Sequence, residues 1–395
     1  MSLRDEYLLD PSVVFLNHGS FGATPLPVFE EYQRWQRELE RQPVEFLGRR
    51  ADDLLDAVRA PLAEYLNADP GGLVYVPNAT TGINIVARSL QLEPGDEVLG
   101  NDLEYGACDE TWRYLCERSG AAYVRQHVPL PAVSPEELAD TLWAGVTPRT
   151  KVIYLSHVTS GTALTLPVEA ICGRAREAGI LSVIDGAHAP GHLPLDLAAI
   201  GADAYAGNLH KWLSAPKGSG FLFVRPEHHA WVESSIVSWG WVDGSDVRRP
   251  EATEFVNRNQ RQGTRDLAAY LATPAAIRYQ QERDWPNVRR RCHDLAKEAL
   301  HRVVALTGAE PLSPVPVPDP EGFPWFVQMV SCPLPPVDAK LLKRRMYDED
   351  RVEAPVTTHG DHAFIRLSFQ CYNTDADLEA ALASLARWLP EVVVG

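Results

Sequence analysis

Short runs of branched and aromatic residues recur along the chain, and most hand over to a segment of helical period. They are LVYV from Leu73, DEVLG at Asp96–Gly100, AYVRQ at Ala122–Gln126, KVIYLSHV from Lys151, ILSVI at Ile180–Ile184 and GFLFV at Gly220–Val224. A strand this apolar must be covered on both faces, and strands joined through helices run parallel. The rhythm therefore calls for an α/β fold, a parallel sheet between layers of helices. Such a sheet takes its ligand at the carboxyl ends of its strands, so the residues after each run are the ones to read for chemistry.

The ILSVI run delivers Asp185 at such an end. A second short run follows at Ala202–Ala206, and just past it stand His210 and Lys211, the lysine beside Trp212 and Leu213 instead of other charges. An amine in that setting can shed its proton, and the free amine is what forms a Schiff base. Pyridoxal phosphate (PLP) needs such an amine for its aldehyde, a carboxylate to keep its ring nitrogen protonated, and a cradle for its phosphate. Lys211 and Asp185 suit the first two. A candidate cradle lies in LVYVPNATTGINIVARSL, where a strand ends before Asn78 and a helix opens near Thr80 or Thr81. A helix start offers unpaired N–H groups to an anion, although Thr80 also reads as an ordinary N-cap.

On its DGAHA and HKWL elements, in this order and separation, the sequence resembles the class V aminotransferase branch of the fold-type I PLP enzymes. The likeness is nearest to the isopenicillin N epimerase-like and cysteine desulfurase-like members and covers essentially the whole chain. It implies a mostly parallel sheet of the seven-stranded type with helices on both sides and a smaller C-terminal α+β domain. Residues 1–25 would form an arm, 26–282 the large PLP-binding domain and 283–395 the small one.

The resemblance also implies roles. Lys211 would carry the Schiff base, Asp185 would partner the pyridine nitrogen, and His188 would reach the phenolic oxygen. Ala79, Thr80, Thr81 and His210 would contact the phosphate. Tyr105 would stack on the ring and is a candidate acid or base; a stacking contact contributes about 0.5–1.5 kcal/mol beyond area burial. Ser160 would stand where desulfurases typically carry Asn. Gly263 and Thr264 would reach the partner subunit's cofactor, which makes a homodimer with shared active sites. Arg366, in FIRLSFQCYNT, would grip the substrate carboxylate, with Asn17, His18 and Ser20 of the arm beside it. Plainer readings compete: a core histidine, a core aromatic, a helix cap at Thr264, or an internal salt bridge for Arg366.

Shared steps on an α-amino acid would be imine exchange at Lys211 and removal of the α-proton by the freed amine. Epimerisation, C–S lysis and transamination diverge only afterwards. The desulfurase route is disfavoured, because the interval VEAPVTTHGDHAFIR before the arginine holds no cysteine. VPNATTG is not the G-x-G-x-x-G turn of a dinucleotide-binding enzyme, and a PLP fold reduced to an interaction module would not be expected to keep both Lys211 and Asp185.

Charge and composition bound the rest. A net charge of −16 with no basic stripe argues against nucleic-acid or anionic-membrane partners. No apolar run approaches the roughly 18 residues of a membrane span, and the first residues lack the apolar stretch of a signal peptide, so a cytoplasmic protein is expected. The 6 cysteines lack C-x-x-C spacing and read as free, mostly buried thiols. His188 and His192 stand at i, i+4, but Pro190 and Gly191 between them deny the helix that a metal pair would need; no metal is expected. Arg265 to about Thr307 reads as one long helical stretch, and PLSPVPVPDPEGFP as a surface linker within the small domain.

Overall fold

A computed structural model describes residues 3–241, 249–314, 325–360 and 362–394. Its strands are β1 (Val14–Phe15), β2 (Leu73–Val76), β3 (Glu97–Asn101), β4 (Ala122–Gln126), β5 (Thr150–Ser156), β6 (Leu181–Gly186), β7 (Ala204–Asn208), β8 (Gly220–Val224), β9 (Met329–Leu334), β10 (Val352–Glu353), β11 (Val356–His359) and β12 (His362–Ser368). The expected sheet has seven strands in the order β2-β8-β7-β6-β5-β3-β4. β3 to β7 pair parallel throughout, whereas β8 runs antiparallel to both β7 and β2. No helix carries the chain back across the sheet after β7, and a strand that returns without a crossover must return antiparallel.

Alternate residues of the strands feed two apolar cores. Leu73, Tyr75, Ile153 and Ile184 pack into one, and Val74, Val76, Val152 and Val183 into the other. That is why these runs are apolar without a polar alternation. β4, at the edge, is half exposed and carries Arg125 and Gln126.

A three-stranded antiparallel sheet, β11-β12-β9, forms from the C-terminal third, and the arm is tied to that region. β1 pairs in parallel with β10, and Asn17 bridges to Ser368 at the end of β12. Within RVEAPV (351–356) only Val352 and Glu353 form β10, whose partner is the arm, and Val356 already opens β11.

The long helical stretch is interrupted. It divides into Ala268–Leu271, Thr273–Gln281 and Trp285–Thr307, with Asp284 in the left-handed region at φ 46°. Pro286 gives the reason, since a proline suits the first turn of a new helix and breaks the interior of an old one. Residues 315–324 of the Pro-rich segment and 242–244 of the Trp-rich segment lie outside the described residues. Trp239 and Trp241 are described, and both are exposed.

Candidate active site

The carboxyl ends of the strands converge, with the arm, on one cavity of about 330 Å³. Asn78 and Thr80 reach it from beyond β2, Tyr105 from beyond β3, Ser156 and Ser160 from β5, Asp185 and His188 from β6, Asn208, His210 and Lys211 from β7, and Ser20 and Phe21 from the arm. Parallel strands present their ends on one side of a sheet, which is how residues so distant in the chain meet.

Asp185 is buried at the end of β6. Its Oδ1 accepts the Ala187 N–H at 2.9 Å, while among the described residues Oδ2 has only longer donors, Tyr154 Oη at 3.4 Å and Cys108 Sγ at 3.5 Å. Burial dominates and raises its pKa above the ordinary carboxylate value. Lys211 Nζ lies 3.0 Å from His188 Nε2. Burial, assisted by the Arg366 charge, pulls the lysine down to about 7, so a large share of it is free amine at neutral pH. Burial also holds His188 neutral, its pKa well below 6.5.

Arg366, on β12, is buried at 5% exposure. Its Nη1 donates to the Ser160 carbonyl at 2.6 Å and its Nη2 to Ser20 Oγ at 2.8 Å; Asn17 Oδ1 lies at 3.4 Å. Among the described residues no carboxylate pairs with it, and its Nε has no hydrogen-bond partner. The internal salt bridge that competed for this arginine is therefore not formed among those residues. Burial lowers the guanidinium to about 10.

Tyr105 opens the helix Gly106–Ser119, lines the cavity and is 44% exposed, so it is not a core aromatic. Among the described residues its phenol has no hydrogen-bond partner.

Three expectations need correction. His18 does not line the cavity: it is fully buried, Nδ1 meets Tyr372 Oη at 2.8 Å and Nε2 meets the Lys211 carbonyl at 3.0 Å. With both ring nitrogens occupied it braces the backbone of Lys211 and is unavailable to substrate. Gly22, at φ 72°, permits this approach, since a Cβ there would fall 2.1 Å from the His210 carbonyl oxygen.

Secondly, the cap of the helix Ala79–Ser89 is Asn78, not Thr80; its side chain accepts the Thr81 N–H, and Asn208 Oδ1 takes the Ala79 N–H at 2.8 Å. Those donors are spent, so of the three expected phosphate contacts in this turn Thr80 is the one that lines the cavity, beside Asn78. Thirdly, Thr264 caps no helix: it and Gly263 are exposed, ahead of the helix that begins at Ala268, and neither lines this chain's own cavity. Asn17 is buried and its amide donates to Glu353 Oε1 at 2.9 Å.

Cys108 is buried against Asp185 with its pKa raised by burial, and Cys371 meets Tyr7 Oη at 3.2 Å with its thiol pushed up to about 11. Neither has the character of a reactive thiol.

Residues 24–381 match the family described as aminotransferase class V. The chain belongs to the class V aminotransferase family. It is 37% identical over 391 residues to an isopenicillin N epimerase of Amycolatopsis lactamdurans, covering 97% of this chain and 96% of that protein. A probable chloroplastic L-cysteine desulfhydrase of Arabidopsis thaliana is 27% identical over 411 residues, covering 96% of this chain and 84% of that one. Among solved structures, C-DES with glycine covalently linked to its PLP cofactor superposes with a TM-score of 0.84 at 22% identity, covering 97% of this chain and 98% of that one. A class V aminotransferase of this kind is a PLP-dependent enzyme.

The residues of this class V chain fit PLP. Asp185 keeps a carboxylate oxygen with only long donors beside the cavity, a depressed lysine stands opposite, and the opening of a helix with Thr80 and the side chain of His210 border the same space. Reading the sequence missed Asn208, which ends β7 and ties the Ala79 turn in place, and also Phe21 and Ser156. Asn208 was discoverable, being the last residue of a strand in the sheet's ligand-bearing half.

Proposed function

We propose that this enzyme acts at the α-carbon of an amino acid, or of a small molecule containing one, with epimerisation as the leading reaction. The observation that carries the reading is Arg366, a buried cation with no carboxylate partner among the described residues, held by Ser20 and Ser160 at the edge of the cavity that holds Lys211. A buried guanidinium without an anion is costly, and a substrate α-carboxylate supplies one in bidentate geometry. Bound PLP supplies an aldehyde for imine exchange and a ring that draws electrons from the α-carbon. Asp185 would keep the ring nitrogen charged, Thr80 and His210 would hold the phosphate, and His188 and Tyr105 would border the ring. Lys211 Nζ would hold the cofactor's aldehyde and, as the free amine, would take the α-proton. Tyr105, which lines the same cavity and is exposed, is the candidate acid for returning a proton on the other face.

The desulfhydrase relative, and a Tyr105 phenol without a hydrogen-bonded partner among the described residues, favour C–S lysis as a second reading, since expulsion of a thiolate needs no second acid. The test is a panel of L-amino acids and cysteine conjugates with the holoenzyme, scoring inverted α-carbon, thiol with pyruvate, and keto acid separately. Inversion supports the first reading, and thiol with pyruvate the second. No product of any kind from a PLP-loaded protein sinks both.

Asp185→Asn should retain PLP yet lose roughly 10²–10³ in kcat on any substrate the panel identifies, the size expected when one preorganised electrostatic contact is removed. Unchanged kcat would dissociate Asp185 from the ring nitrogen.

The exposed Gly263–Thr264 pair and the exposed Phe21, Val237 and Trp239 support a homodimer in which each subunit completes the other's phosphate site. Among the described residues no helix is long and apolar enough to cross a membrane, and the 6 free, buried cysteines suit a reducing compartment, which supports a cytoplasmic location.

A further inference from the structure

His188 stands between two groups. Its Nδ1 lies 3.3 Å from Trp212 Nε1, and its Nε2 lies 3.0 Å from Lys211 Nζ. An indole N–H can only donate, so Nδ1 must accept and carries no proton. A neutral imidazole then bears its proton on Nε2, which donates toward Lys211. Only a free amine has the lone pair to receive it, because an ammonium is a donor on every side. We propose that Trp212 is a positioning residue: its indole N–H fixes the tautomer of His188, and that tautomer favours Lys211 as the free amine.

The indole is well placed to impose this choice. Trp212 is fully buried, and its ring stacks on His192 at 4.3 Å with planes 27° apart. Its carbonyl accepts from Gln280 Nε2 at 2.8 Å. Gly191, at φ 82°, lies so close that a Cβ there would fall 2.5 Å from that carbonyl carbon. His192 in turn donates from Nδ1 to the His188 carbonyl at 3.1 Å and accepts the Gln328 N–H on Nε2 at 2.9 Å. It therefore holds the opposite tautomer and anchors the backbone of His188.

The charged and titratable groups that face this pair are Arg366, Asp185 and Cys108 around Lys211, and Lys211, Arg366, His192 and His210 around His188. Burial makes both groups prefer their neutral forms, but burial does not choose between two imidazole tautomers. With the indole N–H removed, the proton can sit on Nδ1, and the bare Nε2 then accepts from a Lys211 ammonium. The removal thus stabilises the unreactive form of the lysine.

The consequence for catalysis rests on Lys211 being the lysine that binds PLP; the tautomer does not. The test is long-range proton–nitrogen correlation on the full-length protein labelled with ¹⁵N-histidine, with and without PLP, using His188→Gln to assign the ring. The wild type should show His188 protonated on Nε2 alone around neutral pH. In Trp212→Phe part of the proton should move to Nδ1, and borohydride-trapped attachment of PLP to Lys211 should slow about fivefold at neutral pH, the effect of one neutral hydrogen bond. A site-specific benzothienylalanine at 212, in which sulfur replaces the indole N–H, keeps the shape of the ring and should behave likewise if the phenylalanine variant does not fold. Protonation of wild-type His188 on Nδ1 or on both nitrogens overturns the proposal. So does an isostere whose tautomer, or whose Lys211 reactivity, matches the wild type. Absence of any PLP at Lys211 in the wild type would sink the functional reading while leaving the tautomer result intact.

Discussion

Lys211→Ala should abolish turnover, by about 10⁴-fold or more, and should leave no PLP attached to the chain after borohydride treatment. Both losses follow because the proposed mechanism asks one nitrogen to do two things, hold the aldehyde and then move the α-proton. Among the described residues nothing else in the cavity combines a nucleophilic amine with a position beside Asp185 and His188: Lys217, the next lysine along, points its Nζ at Thr24 Oγ1 at 3.3 Å and does not line the cavity. The pH dependence has a definite sign. Because Lys211 in the folded chain titrates near 7, well under its ordinary 10.5, uptake of PLP by the apoprotein should be flat above about 7 and fall tenfold per unit below it.

The same shift bears on stability. Between about 7 and the unfolded lysine value near 10.4 the unfolded chain binds the extra proton, so the apoprotein gains stability as pH rises through that window. Below it the folded chain carries the cost of a partly buried ammonium. Lys211→Met should therefore stabilise the apoprotein by roughly 2–4 kcal/mol at pH 6, read as a shift in urea midpoint. A variant that keeps its turnover, or still fixes PLP covalently, would remove Lys211 from the mechanism altogether.

What could be read from sequence followed the range of the interactions involved. The seven strands of the main sheet were legible because each is a local apolar run. Lys211 and Asp185 were legible because each follows such a run at the end where ligands bind. The direction of β8 was not, since it depends on a missing crossover and leaves no mark on GFLFV itself. Nor was the break at Asp284 read, although Pro286 was its signal. His18 was misassigned because a histidine in a Gly-rich turn looks available, and only the packing of the arm against Tyr372 and the Lys211 carbonyl turns it inward. Trp212 passed for apolar filling beside the lysine. Its indole N–H acquires meaning only when β6 and β7 lie side by side and bring His188 against it.

Arg366→Lys should cost roughly 10²–10³ in kcat/KM on α-amino acid substrates while the protein stays folded and binds PLP, as expected when a bidentate charged contact of about 3–4 kcal/mol is lost. The alternative is that the arginine merely pins the arm, since its three hydrogen bonds to Ser160 and Ser20 join β12 to both the β5 loop and the first residues of the chain. The two roles separate on two measurements. A structural pin predicts that Arg366→Met destabilises the apoprotein, whereas a cation buried without a carboxylate among the described residues predicts that the apoprotein tolerates the change or gains stability, because a charge desolvated for a missing partner has been removed. A carboxylate grip also predicts that an amine lacking the α-carboxyl is turned over equally poorly by wild type and Arg366→Lys, so that the two losses fail to add. If the decarboxylated amine suffers the full further loss in the variant, the guanidinium is not touching the carboxylate, and the amino-acid reading loses the contact on which it stands.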